Sequence, residues 1–468
     1  MTEWKLHHKV LTAAGILAAL GVIYGVVKAD RIARIGAGYK AKITCSEIFV
    51  AGRDGQEVIR REFLGMPATM KQIHVNVDYE AKTVRASGPI GLGGIKAIYR
   101  DGYGCTLANA GRVGLLPAVK PSGTTSGPWP LARPISGEAL EYVDYGAVDY
   151  ALTQAFEENV AQHRSFLVVV DDKIVDEMYA EGFNEDTPLL SWSMAKSVTT
   201  TLVGAAVYQG YLDVSAPAPV PEWEGDSEKS QITWDDLLRM QSGLEFEEDY
   251  EKPRSEINRM LFERPDAGGF AAQSDIAHDP GEVWSYSSGT ANIIARTLRQ
   301  VLSEQGVDFY QFARDALFEP IGAERFVLEP DASGSFVGSS FAYATPRDWA
   351  RLGQLYLDQG VWDGVRVLPE GWSDYVASPT DASDGQYGAQ FWLNHDGTDG
   401  RTRFIPGLPE DVYFMSGHEG QYVLVVPDKN LVMVRMGMTR GRSPLPEIAP
   451  LFRDVYDAIG YGGDRDRG

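Results

Sequence analysis

Cysteine is nearly missing from this chain: 468 residues contain two, Cys45 and Cys105. No C-x-x-C pair and no Cys/His spacing of the zinc-binding kind occurs, and H-E-x-x-H is absent, so the sequence offers no metal centre. Runs of lysine and arginine are lacking as well. The formal charge is −22 and the isoelectric point lies near 4.8, a balance that repels phosphate backbones and excludes nucleic acid as a partner. The composition is neither disordered nor collagen-like, because 44% of residues are hydrophobic and 11% aromatic, enough for a packed interior. At this length, one large domain with a smaller appendage is expected.

Long apolar runs are scarce too. The one present, Val10 to Val27, stands behind Lys5, His7, His8 and Lys9. It matches the roughly 18 to 20 residues that cross hydrocarbon. It also fits a secretory signal, with Val27-Lys28-Ala29 resembling a small-residue cleavage site. Residues 1–29 are therefore read as a signal peptide or a membrane anchor. Lys28, Arg31, Arg34, Lys40 and Lys42 follow the run and outnumber the basic residues before it. The positive-inside rule would keep that side in the cytoplasm, although long domains translocate largely regardless of such charges. Cys45 and Cys105 both fall in the segment after the run. They form either one bridge closing a long loop or two buried thiols. With the signal-like start, a disulfide and export are expected: a periplasmic or secreted protein, tied to the inner membrane if the run is retained.

Residues 41–115 read as a small β-rich unit, because His74-Val-Asn-Val-Asp78 and Thr83-Val-Arg-Ala86 alternate apolar with polar around a turn. Residues 116–142, dense in Pro, Gly and Ser, read as a linker. Beyond it, residues 143–462 form the main domain. Ser165–Val170 and Ile174–Tyr179 make a strand hairpin, and so do Gln421–Pro427 and Leu431–Met436. Between them lie helical stretches at Met194–Tyr208, Thr233–Met240, Ser255–Phe262, Thr290–Leu302 and Asp308–Leu317, and a last amphipathic helix covers Pro446–Ile459. This order implies an α/β fold of the α+β type: an antiparallel sheet flanked by helices, with an all-helical subdomain.

Three short motifs carry chemistry. In Ser193-Met-Ala-Lys196 the serine stands where a helix should begin, and residues three apart share a helix face, so the lysine amine can lie beside the hydroxyl. A serine needs an adjacent base to become a nucleophile, and a lysine serves only if burial lowers its pKa. Alone the motif is weak, since serine is a common residue and fourteen lysines give about one such spacing by chance. The second motif is Tyr286-Ser287-Ser288, in which the phenol can carry a proton and Ser288 can be its hydrogen-bond partner. The third is His418-Glu419-Gly420-Gln421, opening a strand. There Gly420 would let a ligand approach the backbone, and the Gln421 amide would join that of Ser193 as an oxyanion donor.

The ordered set S-x-x-K, Y-x-S, H-x-G resembles that of the serine β-lactamase-like hydrolases, which include penicillin-binding proteins, class C β-lactamases and esterases. Asp236-Leu-Leu-Arg-Met-Gln-Ser-Gly243 and Pro280-Gly-Glu-Val-Trp-Ser-Tyr286 support the resemblance, which covers roughly Val143 to Ile459. The pattern is similar to that of the 6-aminohexanoate-dimer hydrolases, which cleave small linear amides. The resemblance implies that Ser193 attacks, that Lys196 and Tyr286 relay the proton, and that the Ser193 and Gln421 amides hold the oxyanion. It further implies that Tyr250 contacts substrate, and that no metal or organic cofactor is needed. H-x-G in place of K-T-G argues against β-lactams as substrates. An esterase, a D-amino-acid peptidase and a catalytically silent sensor or scaffold are the competing readings.

Overall fold

One uninterrupted helix, α1 (Thr2–Phe49), opens the chain in the computed structural model, which describes residues 2–108, 113, 139–398, 400–440 and 444–462. The expected linker therefore lies almost wholly outside the described residues. The helix is long and apolar enough to cross a membrane, and its apolar stretch projects free of the rest, with Leu17 69% exposed. It does not break at Val27–Ala29. From Ile35 onward the same helix turns into protein interior, burying Ile35, Ala37, Ala41, Ile43 and Cys45. Lys40 and Lys42 are buried with it, donating to the backbone carbonyls of Ile73 and Cys105. They are thus internal groups rather than membrane-flanking charges, which removes two residues from the sequence-based count of positive charge.

Against this part of α1 lies a four-stranded antiparallel meander of β1 (His74–Asp78), β2 (Thr83–Ser87), β3 (Ile95–Arg100) and β4 (Gly104–Leu107). A short helix, α2 (Gly55–Arg61), precedes it, its first turn capped by Asp54. Cys45 and Cys105 are joined in a disulfide between α1 and β4. Cys45 is helical, and the unit read as β-rich owes part of its core to α1.

The main body is built on a six-stranded antiparallel sheet, ordered β12-β13-β14-β15-β5-β6. Its strands are β5 (His163–Val170), β6 (Lys173–Tyr179), β12 (Trp392–Leu393), β13 (Tyr413–Gly417), β14 (Gln421–Val426) and β15 (Leu431–Gly437). Both expected hairpins are present. The arms β5, β14 and β15 are mostly apolar because both faces are covered, whereas the edge strand β6 carries Asp176 and Glu177 and is half-buried. Phe166, Val168, Val170, Leu424 and Val426 pack against α3 (Tyr145–Glu158) and α12 (Leu445–Asp457), while Leu167, Val169, Val423 and Val425 face the opposite layer.

That opposite layer contains α4 (Met194–Tyr208), α5 (Trp234–Leu238), α6 (Glu256–Phe262), α7 (Ala267–Ala271), α8 (Ser288–Glu304), α9 (Phe309–Ala313), α10 (Pro346–Leu357) and α11 (Trp372–Ala377). β7 (Leu189–Leu190), β8 (Val327–Leu328) and β9 (Ala342–Ala344) form a small three-stranded accessory sheet, and β10 (Val361–Trp362) and β11 (Val365–Arg366) a two-stranded one. The helices continue past the expected end of the helical block at Leu317, with α10 and α11. In α4 every residue from Met194 to Ala206 is buried. Small residues and threonines, whose hydroxyls bond back to the helix, allow this all-round packing.

The N-terminal unit is fastened to the main body by buried charge. Glu329, fully buried, pairs with Lys42 of α1 and accepts from Ser46 Oγ at 2.8 Å and from the Cys105 amide at 2.5 Å. Gly104 (φ +65°) is required beside it, since a Cβ there would sit 2.5 Å from Glu329 Oε1. Removing one partner of a buried pair costs about 3–5 kcal/mol, while replacing both by apolar groups is far cheaper. Glu329→Ala should therefore lower the melting temperature sharply, and the double variant Lys42→Met/Glu329→Leu should recover much of the loss. Equal melting of the single and double variants would show that the pair does not fasten the unit.

Candidate active site

The chain reaches the site through a strained residue. Trp192, buried, has φ +45°, a costly conformation for an aromatic residue. It delivers Ser193 to the N-terminus of α4, where the serine side chain makes no capping bond. The hydroxyl instead accepts from Lys196 Nζ at 3.2 Å. The same amine donates to Ser288 Oγ at 3.0 Å and to the Ser339 carbonyl at 3.1 Å. Asn292 of α8 holds Ser339 in place through bonds of 3.0 and 3.2 Å. Lys196 is 1% exposed, and this desolvation brings its pKa down to about 8, with the Glu248 carboxylate pulling the other way.

Tyr286 covers the amine, its ring centre 4.7 Å from Lys196 Nζ, and is steadied by an aromatic cluster of Trp284, Tyr387 and Trp392. Burial, and then Glu248, push the phenol's pKa upward, while a hydrogen bond with Ser193 opposes them. Ser193, Lys196 and Tyr286 are therefore brought together as the sequence reading expects. Ser288, at the start of α8, is also present, but its hydroxyl sits between Lys196 and Glu248 rather than pairing with Tyr286. It donates to Glu248 Oε1 at 2.5 Å, and its amide donates to Glu248 Oε2 at 2.9 Å.

Glu248 was missed from sequence. It lies in an acidic stretch whose members look alike, and no spacing distinguishes it. Tyr250, two residues on, donates to Glu248 Oε1 at 3.1 Å and stacks on His418 at 6.0 Å between ring centres. Although Tyr250 is 43% exposed as a whole, its hydroxyl end is sheltered, and burial with the nearby Glu248 raises its pKa. His418 is wedged between Tyr250 and the edge of Trp192, 5.6 Å away. One side of the imidazole is open to solvent, yet crowding holds its pKa below the usual value. Neutral imidazole is its form near pH 7.

The remaining two expectations concern Gly420 and Gln421. Gly420 (φ +86°) does not face the site: a Cβ there would meet Arg435 Nη1 at 2.3 Å and α12 behind it. Arg435 donates to the Gly420 carbonyl at 2.6 Å. The space that a side chain would need at Gly420 is taken by this buried arginine, on the side away from Ser193 that α12 covers. Gln421 pairs opposite Gly417, and its side chain is tied to the His418 and Gly437 carbonyls at 3.0 and 2.7 Å. Of this turn, His418 is the residue at the wall of the site. Gly417 just before it abuts the Ser191 carbonyl, within 2.2 Å of a notional Cβ.

Comparison with known proteins bears on the same residues. The family model described as Beta-lactamase matches residues 152–454, which include Ser193, Lys196, Tyr286 and His418. The chain belongs to the beta-lactamase family. A 6-aminohexanoate-dimer hydrolase of Paenarthrobacter ureafaciens is 27% identical over 265 residues, covering 52% of this chain and 66% of that protein, just under two thirds of its length. Among solved structures, a putative 6-aminohexanoate-dimer hydrolase from Bacillus anthracis superposes with a TM-score of 0.54 at 20% identity, over 68% of this chain and 84% of the other. A family VIII carboxylesterase gives 0.53 at 16%, over 67% and 97%. These superpositions establish a shared β-lactamase-like fold. Residues 1–151 lie outside the family match.

Within this beta-lactamase-family site, Glu248 holds Lys196 more protonated than burial alone would. Glu248→Gln keeps the size of the side chain and removes the charge, so the Lys196 pKa should fall further. The acid limb of kcat/KM should then move to lower pH. An unmoved limb would show that Glu248 does not act on the lysine.

Proposed function

We propose that the protein hydrolyses an amide or ester bond in a small linear molecule through an acyl-enzyme on Ser193. The observation that carries this reading is the Lys196 amine, removed from solvent, bonded to the Ser193 hydroxyl and poised near pH 8. In its neutral form Lys196 takes the hydroxyl proton as Ser193 Oγ attacks the carbonyl carbon. Tyr286, with its pKa raised, stays protonated and is suited to donate to the leaving amine or alkoxide. The Ser193 amide supplies one oxyanion donor, and the 418–421 turn supplies the second. Gln421 is the sequence-based choice for that second donor, and His418 is the residue of the turn that stacks on Tyr250. Tyr250 and His418 line the path of the substrate, and water then releases the acid with the same two side chains in reversed roles.

The likeness to 6-aminohexanoate-dimer hydrolase supports the linear amide, and the fold shared with a carboxylesterase supports the ester as second reading. A silent sensor would have no need of a desolvated lysine beside a serine. The disulfide and the exposed apolar part of α1 support an exported protein, periplasmic and held on the inner membrane, with residues 143–462 as the hydrolase domain.

A serine-directed phosphonate should label the wild type and not Ser193→Ala; undiminished labelling of the variant would move the nucleophile elsewhere. Lys196→Ala and Tyr286→Phe should each lower kcat by orders of magnitude, and their double variant should lose much less than the product of the two. Simple multiplication of the two losses would contradict a shared proton path. His418→Lys replaces a neutral ring by a permanent cation, so the ratio of kcat/KM for a β-lactam to that for a neutral ester should rise. An unchanged ratio would remove His418 from substrate choice.

A further inference from the structure

The hydrolase reading leaves the N-terminal unit without a task, and its charge is of opposite sign to the rest. Residues 28–102 hold 13 Lys and Arg against eight Asp and Glu, in a chain whose net charge is −22. Several of these basic groups gather near one end of the unit. Lys28, Arg31 and Arg34 lie on α1, Lys71 lies just before β1, and Arg85 and Lys96 are cross-strand partners on β2 and β3. All are exposed or partly exposed.

At the same end, the turn Gly88-Pro-Ile-Gly-Leu-Gly-Gly94 is clamped onto α1. The Gly93 amide donates to Asp30 Oδ1 at 2.8 Å, and a Cβ on Gly93 would sit 2.2 Å from the Arg34 nitrogen, so the contact is closed to any other residue. From this turn Ile90 projects into solvent, 94% exposed, at φ +51°. A β-branched residue in the left-handed region is strained, and Gly91 beside it could adopt that conformation freely. An isoleucine displayed at this cost, beside basic groups, has the chemistry of an interfacial membrane contact.

The position fits. A run of 18 apolar residues is about 27 Å of helix, close to the thickness of the hydrocarbon core. Asp30 follows Val27 by three residues, about 5 Å further along the axis, which is the depth of lipid headgroups. We propose that the Ile90 turn and the basic face around it form a second membrane contact, seated on an anionic phospholipid surface beside the emerging helix. This rests on the reading of α1 as a retained membrane anchor. The contact also sets the height of the active site. Arg254, four residues beyond Tyr250, donates to the Arg31 carbonyl at 3.2 Å, so the loop that carries Tyr250 is pinned to α1 at the same level.

The test uses full-length protein in vesicles of phosphatidylcholine, alone or mixed with phosphatidylglycerol, with an environment-sensitive dye on one introduced cysteine and quenchers on the lipid tails. Leu17→Cys reports the anchor, Ile90→Cys the turn, and Glu80→Cys the opposite end of β2. The Ile90 label should be quenched well above the Glu80 label, and more strongly with the anionic lipid. Reversing Lys71, Arg85 and Lys96 to Glu should abolish that lipid preference, since each basic group near an anionic surface favours binding roughly five-fold, while Leu17 quenching persists. Quenching at Leu17 with Ile90 no different from Glu80 would overturn the proposal and leave the anchor standing. No quenching at Leu17 would remove the anchor and the proposal together. Equal Ile90 quenching in both lipids would overturn the anionic surface.

Discussion

The proposed chemistry depends on keeping one lysine amine out of bulk water. Burying an ammonium without a carboxylate partner is costly, and the cost appears as a depressed pKa. Around Lys196 the cost is contained rather than cancelled. Two hydroxyls and one carbonyl accept its hydrogens, while Glu248 acts through Ser288 instead of touching the amine. A direct carboxylate partner would stabilise the ammonium and remove the base. The burial of α4 from Met194 to Ala206 makes this possible: its small side chains let the sheet and the helical layer close around the first turn. The strained Trp192 then fixes the angle at which Ser193 enters.

The same constraint reaches into the N-terminal unit. Tyr39 of α1 stacks on Trp192 at 6.2 Å and 14°, Trp192 meets His418 edge-on, and His418 stacks on Tyr250. Glu419 bonds the Trp192 indole at 3.3 Å and pairs with Arg440, which also donates to the Glu62 carbonyl before β1. A helix that begins as an exposed apolar rod thus ends as part of the wall behind the nucleophile. The unit outside the family match is packed into the site's own support.

Much of the main body was legible because its signals are local. The two hairpins and α4 declare themselves by apolar runs and period, and the three motifs stand in order along the chain. What could not be read depends on partners far away in sequence. Lys42 looked like a charge flanking a membrane because its partner, Glu329, is 287 residues distant. Gly420 looked like an opening for substrate because nothing local announces Arg435 behind it. Glu248 was one acid among several until folding put Ser288 against it. Ser288 was assigned to Tyr286 by proximity in sequence, whereas α8 turns its hydroxyl toward the lysine.

Activation of Ser193 by a desolvated, neutral Lys196 is read directly in the single-turnover rate of Ser193 acylation as a function of pH. That rate should rise with pH and level off with an apparent pKa of about 8, where the buried amine loses its proton. A profile flat across neutral and mildly alkaline pH, or a midpoint near the ordinary lysine value of 10.5, would contradict it.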